Sequence, residues 1–123
     1  MEYVIVDTSS IVFGFEFKKD VFEAATGRFH THKQLISAGV LAELSTLAEN
    51  RGKKGLAARL ALAAIKYKKV LVDNSTQHVD SWVFGKSLEH PGTVVITNDT
   101  ALFKRLKAKG VLAYKFTKAG VIK

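Results

Sequence analysis

Residues 94–99 read Val94-Val95-Ile96-Thr97-Asn98-Asp99. Val94 to Thr97, all apolar or β-branched, spell a short, fully buried strand. Asn98 and Asp99 stop it, and ALFKRLKAKG (101–110) begins a helix at once. A strand that turns directly into a helix is half of a βα unit. In open parallel sheets, ligands bind outside the carboxyl ends of the strands. Asp99 therefore either caps the helix or belongs to a site.

The same grammar repeats on either side. EYVIVD (2–7) is a strand that also ends on an acid, Asp7. Between Thr8 and Gly27, Ser9 or Ser10 is expected to cap a helix, and Val21, Phe22 and Ala25 recur at helical spacing. The alternation of Phe13, Phe15 and Phe17 points to two short helices with an irregular joint. Residues 34–36 form a brief second strand. Ser37 caps a helix to about Asn50, with Val40, Leu41, Leu44, Leu47 and Ala48 as its apolar stripe. NRGKKG (50–55) is a polar turn. A further helix, 56–67, carries Leu56, Leu60, Ala63 and Tyr67 along one face, in an alanine-rich stretch of high helix propensity. KVLVD (69–73) is a strand, 78–89 a helix ended by Pro91-Gly92, and VLAYKF (111–116) the last strand. The basic tail, 117–123, is expected to be loosely ordered.

Strands alternating with helices define an α/β fold, with a mostly parallel five-stranded sheet between two helical layers. At 123 residues this is one domain, 1–123. No apolar run approaches the ~20 residues that span a bilayer. The opening MEYVIVD resembles no signal peptide, and the chain has no cysteine, which excludes disulfides and thiolate metal sites. A cytoplasmic location is the expectation. Nineteen Lys and Arg against eleven Asp and Glu give a net charge of +8, which suits a polyanionic partner, most often nucleic acid.

Against that basic background, four acids stand out. Asp7 and Asp99 end the first and fourth strands, which are neighbours where a doubly wound sheet reverses its order. Glu43 falls about 60° from Val40 on its helix, at the border of the apolar stripe, and is expected to be half-buried. Asp80 is expected to project from the middle of a stripe formed by Val83, Phe84, Ser87 and Leu88. If the four converge, carboxylates about 5 Å apart repel by ~3 kcal/mol at an effective dielectric of 20. Either some are protonated or a cation sits among them. Oxygen-only ligands favour Mg²⁺ or Mn²⁺, and such an ion in a basic protein points to phosphodiester chemistry.

At these residues the chain resembles the PIN-domain family of metal-dependent ribonucleases. VDTSS with Asp7 and Ser9 is similar to the family's first motif, and VLAEL with Glu43 to its second. HVDSWVF with Asp80 is similar to the third, and ITND with Thr97, Asn98 and Asp99 to the fourth. Relatives linked to rRNA processing often carry two adjacent acids at the third motif; here the preceding residue is Val79. The resemblance implies an α/β sandwich, often a homodimer, that cuts RNA with Mg²⁺ or Mn²⁺. Its partner is a protein antitoxin if the chain is of the toxin type, or ribosome-assembly factors if it is of the rRNA-processing type. The alternative is a PIN fold that binds RNA without cutting it.

On this reading Asp7, Glu43, Asp80 and Asp99 surround one or two ions, with Asp7 and Asp99 the most rigidly placed. Ser9, Thr97 and Asn98 position carboxylates or a phosphate. Arg51, Lys53, Lys54, Lys104, Arg105, Lys107 and Lys109 are candidates for contact with the RNA backbone. Trp82 points away from its helix's stripe, open to stacking on a base, to a dimer contact or to a satellite core. His30, His32, His78 and His90 match no zinc spacing, and RGKKG is not a P-loop. Two rivals fit less well. A haloacid-dehalogenase-type phosphatase needs an Asp where Ser9 stands. A receiver domain would use Asp73 but needs paired acids near the first strand.

Overall fold

Residues 2–123 are described by a computed structural model. The first strand, β1 (Tyr3–Val6), leads into two short helices, α1 (Thr8–Glu16) and α2 (Val21–Arg28). β2 (Lys33–Ser37) is followed by α3 (Ala38–Ala48) and α4 (Lys53–Tyr67). Then β3 (Leu71–Asp73), α5 (Val79–Glu89), β4 (Val94–Ile96), α6 (Thr100–Ala108) and β5 (Leu112–Tyr114) alternate.

The sheet order is β3-β2-β1-β4-β5, and every pairing is parallel. The order reverses between β1 and β4, so Asp7 and the 97–99 turn leave the sheet side by side. The Asp7 amide extends the pairing by donating to Ile96 O at 3.0 Å. Right-handed crossovers put helices on opposite faces on either side of the reversal. Accordingly α1, α3 and α4 pack together on one face, while α5 pairs with α6. The core is the continuous apolar runs of the central strands: Val4, Ile5, Val6, Ile36, Val95 and Ile96 are fully buried.

Local chemistry explains most element ends. Ser37 caps α3 by accepting from Val40 N, and Asp20 caps α2 by accepting from Phe22 N and Glu23 N. The joint between α1 and α2 turns on Lys18, whose φ of 58° is left-handed.

Several expectations are corrected. Neither Ser9 nor Ser10 caps α1: the helix already starts at Thr8, and the capping position falls to Asp7. The face of α4 that carries Leu56, Leu60 and Tyr67 is the outward one. Leu56, Leu60 and Tyr67 are 50, 41 and 90% exposed, and the inward face is Gly55, Ala57, Ala58 and Ala61. Small residues let α4 approach α1 and α3 closely, which a stripe of leucines would prevent. α4 also begins at Lys53, so Lys53 and Lys54 form its first turn rather than a loop. The tail is pinned, not loose. Phe116 bridges Ile122, both are buried, and the Phe116 ring packs so closely over Gly14 that a Cβ there would lie 2.7 Å from it.

Candidate active site

Asp7 occupies the capping position of α1 yet makes no capping hydrogen bond. Its side chain, only 3% exposed, turns into a cavity instead. Two hydroxyls hold it. Ser9 Oγ donates to Asp7 Oδ2 at 2.6 Å and Thr97 Oγ1 donates to the same oxygen at 2.8 Å. Each hydroxyl in turn accepts a backbone amide: Asn98 N reaches Ser9 Oγ at 2.9 Å, and Asp99 N reaches Thr97 Oγ1 at 3.1 Å. With an amide already donating to each hydroxyl, its own proton is left for Asp7, and the two hydroxyls lie 3.3 Å apart. Oδ1 accepts neither of them.

Glu43 enters from α3. It is exposed rather than half-buried; on that helix Val40 and Leu44 are fully buried, and Leu41, Leu47 and Ala48 pack against the core beside them. Its Oε1 accepts a 2.6 Å bond from Thr8 Oγ1. Thr8, which also lines the cavity, is a site residue that the sequence does not single out. A threonine beside a candidate ligand is too common to stand out, and its role depends on α3 being folded over α1.

Asp80 lies in the first turn of α5 and is half-buried. It sits at the border of the buried face, not in its middle. That face is Val79, Trp82, Val83 and Ser87, while Leu88 is 45% exposed. Trp82 is therefore core, 3% exposed, and unavailable for stacking on a base. Its Nε1 donates to Asp73 Oδ2 at 3.2 Å, and Lys86 Nζ reaches the same oxygen at 3.1 Å. The Lys86 ammonium holds the Asp73 carboxyl below its ordinary range.

Asp99 does cap α6, accepting from Leu102 N at 3.0 Å, and also lines the cavity. Asn98 has a different task from the one expected of it. Its amide accepts from Ser10 Oγ and Phe116 N and donates to Phe116 O, which ties the tail to β4 rather than touching a carboxylate.

Asp7, Glu43, Asp80 and Asp99 thus come from four separate elements to line one cavity of about 600 Å³. The ion pairs among the described residues engage other acids, and none of these four has a Lys, Arg or His within 4.0 Å. Burial pushes the Asp7 carboxyl above its ordinary range. The Ser9 and Thr97 bonds oppose that, and the charges of Asp80 and Glu43 add to it. Among the described residues, no three acids or histidines stand close enough to grip an ion unaided. A donor set of spaced carboxylates without a basic partner still suits a hard divalent cation, since Mg²⁺ takes one or two carboxylates and keeps its waters. The cavity has room for both waters and a phosphate.

The basic candidates are all exposed, but they are not equally free. Lys54 pairs with Glu16 at 3.1 Å, Lys53 lies over the Phe17 ring, Arg105 over Phe84 and Lys107 over Phe103.

Several known proteins are similar to this chain in sequence or fold. Ribonuclease VapC4 of Methanocaldococcus jannaschii is 29% identical over 118 residues, covering 90% of this chain and 87% of that protein. Ribonuclease VapC9 of Archaeoglobus fulgidus is 32% identical over 108 residues, covering 87% of this chain and 77% of that protein. The PIN domain endonuclease Utp24 superposes with a TM-score of 0.74 at 26% identity, over 94% of this chain and 85% of that one. A domain of a functionally unknown M. jannaschii protein shares the fold alone, with a TM-score of 0.64 at 18% identity over 95% of this chain and 92% of that one. No helix among the described residues is long and apolar enough to cross a membrane. A family model described as a PIN like domain matches residues 4–116, and the chain belongs to that family.

Proposed function

We propose that the protein is a ribonuclease that hydrolyses RNA phosphodiester bonds at the cavity formed by Asp7, Glu43, Asp80 and Asp99, with Mg²⁺ or Mn²⁺ as cofactor. One observation carries the reading: in a chain of net charge +8, four carboxylates converge on one cavity without a basic partner. A fold that needed these acids only for stability would neutralise them with its abundant lysines. The names of the similar proteins, two VapC ribonucleases and an endonuclease, support the same chemistry.

In this reading Asp7 and Asp99 hold the cation from the ends of adjacent strands, and Glu43 and Asp80 complete the set from helices. A divalent cation bound there supplies Lewis acidity toward a phosphoryl oxygen and makes water more acidic. The protein's own groups do the rest. Ser9 and Thr97 keep Asp7 Oδ2 occupied, so that Oδ1 is left to hold the cation. Thr8 fixes the carboxylate of Glu43, which orients the attacking water and takes its proton. Water adds to phosphorus in line as the bond to the leaving oxygen breaks, and that oxygen takes a proton from solvent to leave as a hydroxyl.

The resemblance to VapC proteins favours the toxin type, with a protein antitoxin as partner. Val79, buried beside Asp80, offers no second acid of the kind seen in rRNA-processing relatives. Labelled single-stranded RNA, incubated with and without Mn²⁺ or EDTA, tests the activity. Cleavage is expected only with the ion and not in Asp7→Asn. Cleavage that persists in EDTA and in Asp7→Asn overturns the mechanism, and binding without cleavage under any divalent ion favours an RNA-binding module.

A further inference from the structure

Beside the carboxylate cavity lies a second hollow of about 390 Å³, and the two share Thr8, Ser9 and Leu47 as a common wall. The character changes across that wall. The first cavity gathers acids; the second is lined by Val12 and by the half-buried ring of Phe13. Phe13 packs against Phe17, with ring centroids 5.0 Å apart and the planes tilted by 53°. Cations gather on Phe17, behind Phe13. Lys53 Nζ stands 4.4 Å and Lys118 Nζ 5.6 Å from the centre of the Phe17 ring, and Lys54 lines the hollow itself. Glu16 also lines it, with its Oε1 held 3.1 Å from Lys54 Nζ.

We propose that this hollow is a nucleobase subsite, which takes the base of a nucleotide adjoining the phosphate cut in the carboxylate cavity. The proposal rests on the ribonuclease reading. Phe13 supplies the apolar face on which the base stacks, and such stacking tolerates any base. Lys53, Lys54 and Lys118 meet the flanking phosphates, where their charge complements the strand. Glu16, with Oε1 engaged by Lys54, keeps a carboxylate oxygen to accept an N–H from the base edge. Three features single out RNA as the occupant: the wall shared with the carboxylate cavity, the Phe13 ring in the lining, and three lysines, Lys54 in the hollow and Lys53 and Lys118 on the neighbouring Phe17. The acids alone would repel a polyanion. The lysines beside them provide the attraction that brings a strand to the site.

Abasic substitutions test this. A short, dye-labelled single-stranded RNA and versions lacking the base at each position in turn are bound to the wild-type protein, Phe13→Ala and Phe13→Leu in EDTA. Anisotropy reports affinity, and cleavage is followed in parallel with Mn²⁺. At one position next to the cut, loss of the base is expected to weaken wild-type binding by roughly 5- to 100-fold, the usual range for one base on an aromatic ring. The same loss should have little further effect in either Phe13 variant. Phe13→Leu keeps apolar bulk against Phe17, and its unchanged melting temperature separates lost stacking from lost fold. An equal abasic penalty in all three proteins, or no penalty at any position, overturns the subsite. If RNA is cut without any such penalty, the subsite fails while the ribonuclease reading stands. If binding depends on both Phe13 and the base but no divalent ion supports cleavage, the subsite stands and the ribonuclease reading fails. Absence of RNA binding overturns both.

Discussion

Thr97 Oγ1 donates to Asp7 Oδ2 at 2.8 Å, joining the carboxyl ends of two adjacent strands that lie 90 residues apart in the chain. The bond engages Oδ2 of Asp7 and leaves Oδ1 without a hydroxyl donor. Thr97→Val keeps the shape and removes the donor. Its loss is expected to lower apparent metal affinity or activity by about 10- to 100-fold, the usual effect of removing a group that orients a metal ligand. A Mn²⁺ titration of cleavage measures it. An unchanged titration in a folded variant would dismiss the orienting role.

Thr8 bonds Glu43 at 2.6 Å and makes a sharper case. If Thr8 acts by fixing that carboxylate, Thr8→Val and Glu43→Gln should be strongly non-additive. The double variant is expected to cut RNA no more slowly than Glu43→Gln alone. Additive losses in a double-mutant cycle would assign Thr8 a separate role.

Asp7 links stability to pH. Burial raises its folded-state pKa above the ordinary 3.8. Below that value the carboxyl is neutral in both states and carries no penalty. As pH rises past it, the unfolded chain releases the proton first and the folded state loses stability. In EDTA, Asp7→Asn is therefore expected to melt higher than wild type at pH 7, and the gap should close toward about pH 3.5. Thermal melts across pH read this directly. A variant that is equally destabilised at both pH values would refute the linkage. The same substitution should abolish the stabilisation that added Mn²⁺ gives the wild type.

Trp82 serves the fold. Trp82→Phe removes the bond to Asp73 and leaves a void where the larger ring packed, with an expected cost of about 1–3 kcal/mol. Denaturant unfolding gives the cost, and RNA affinity of the folded variant should not change. A selective loss of RNA binding at full stability would restore a stacking role. Asp73, lowered by Lys86, contributes stability above its unfolded pKa that is lost as pH falls, so Asp73→Asn should blunt acid unfolding.

Attraction to the RNA backbone follows salt. Lys53 and Lys104 are exposed and stand outside the ion pairs found among the described residues. Substituting either by alanine should weaken RNA binding for all sequences alike. It should also lower the slope of log affinity against log salt by about 0.7 for each phosphate that is no longer neutralised. An unchanged slope would remove that lysine from the RNA path.

Much of this protein is legible in one dimension. VIVD and VVITND announce buried parallel strands, because a strand covered on both faces needs an unbroken apolar run. Their terminal acids fall at strand ends by register alone, and the alternation of strands and helices defines the layers. α4 misleads for a physical reason. Sequence ranks leucine above alanine as core, but a helix wedged closely between α1 and α3 buries alanine and leaves leucine outside.

The same limit governs the site. The chain by itself specifies which acids end which strands and the excess of positive charge. It does not specify that Asp7 forgoes its cap for two hydroxyls, that Thr8 reaches Glu43, or that Trp82 turns inward to Asp73. Those choices belong to the folded molecule. Each needs a partner from a distant segment, and a side chain's hydrogen bond goes to whichever group the packed backbone brings within about 3 Å.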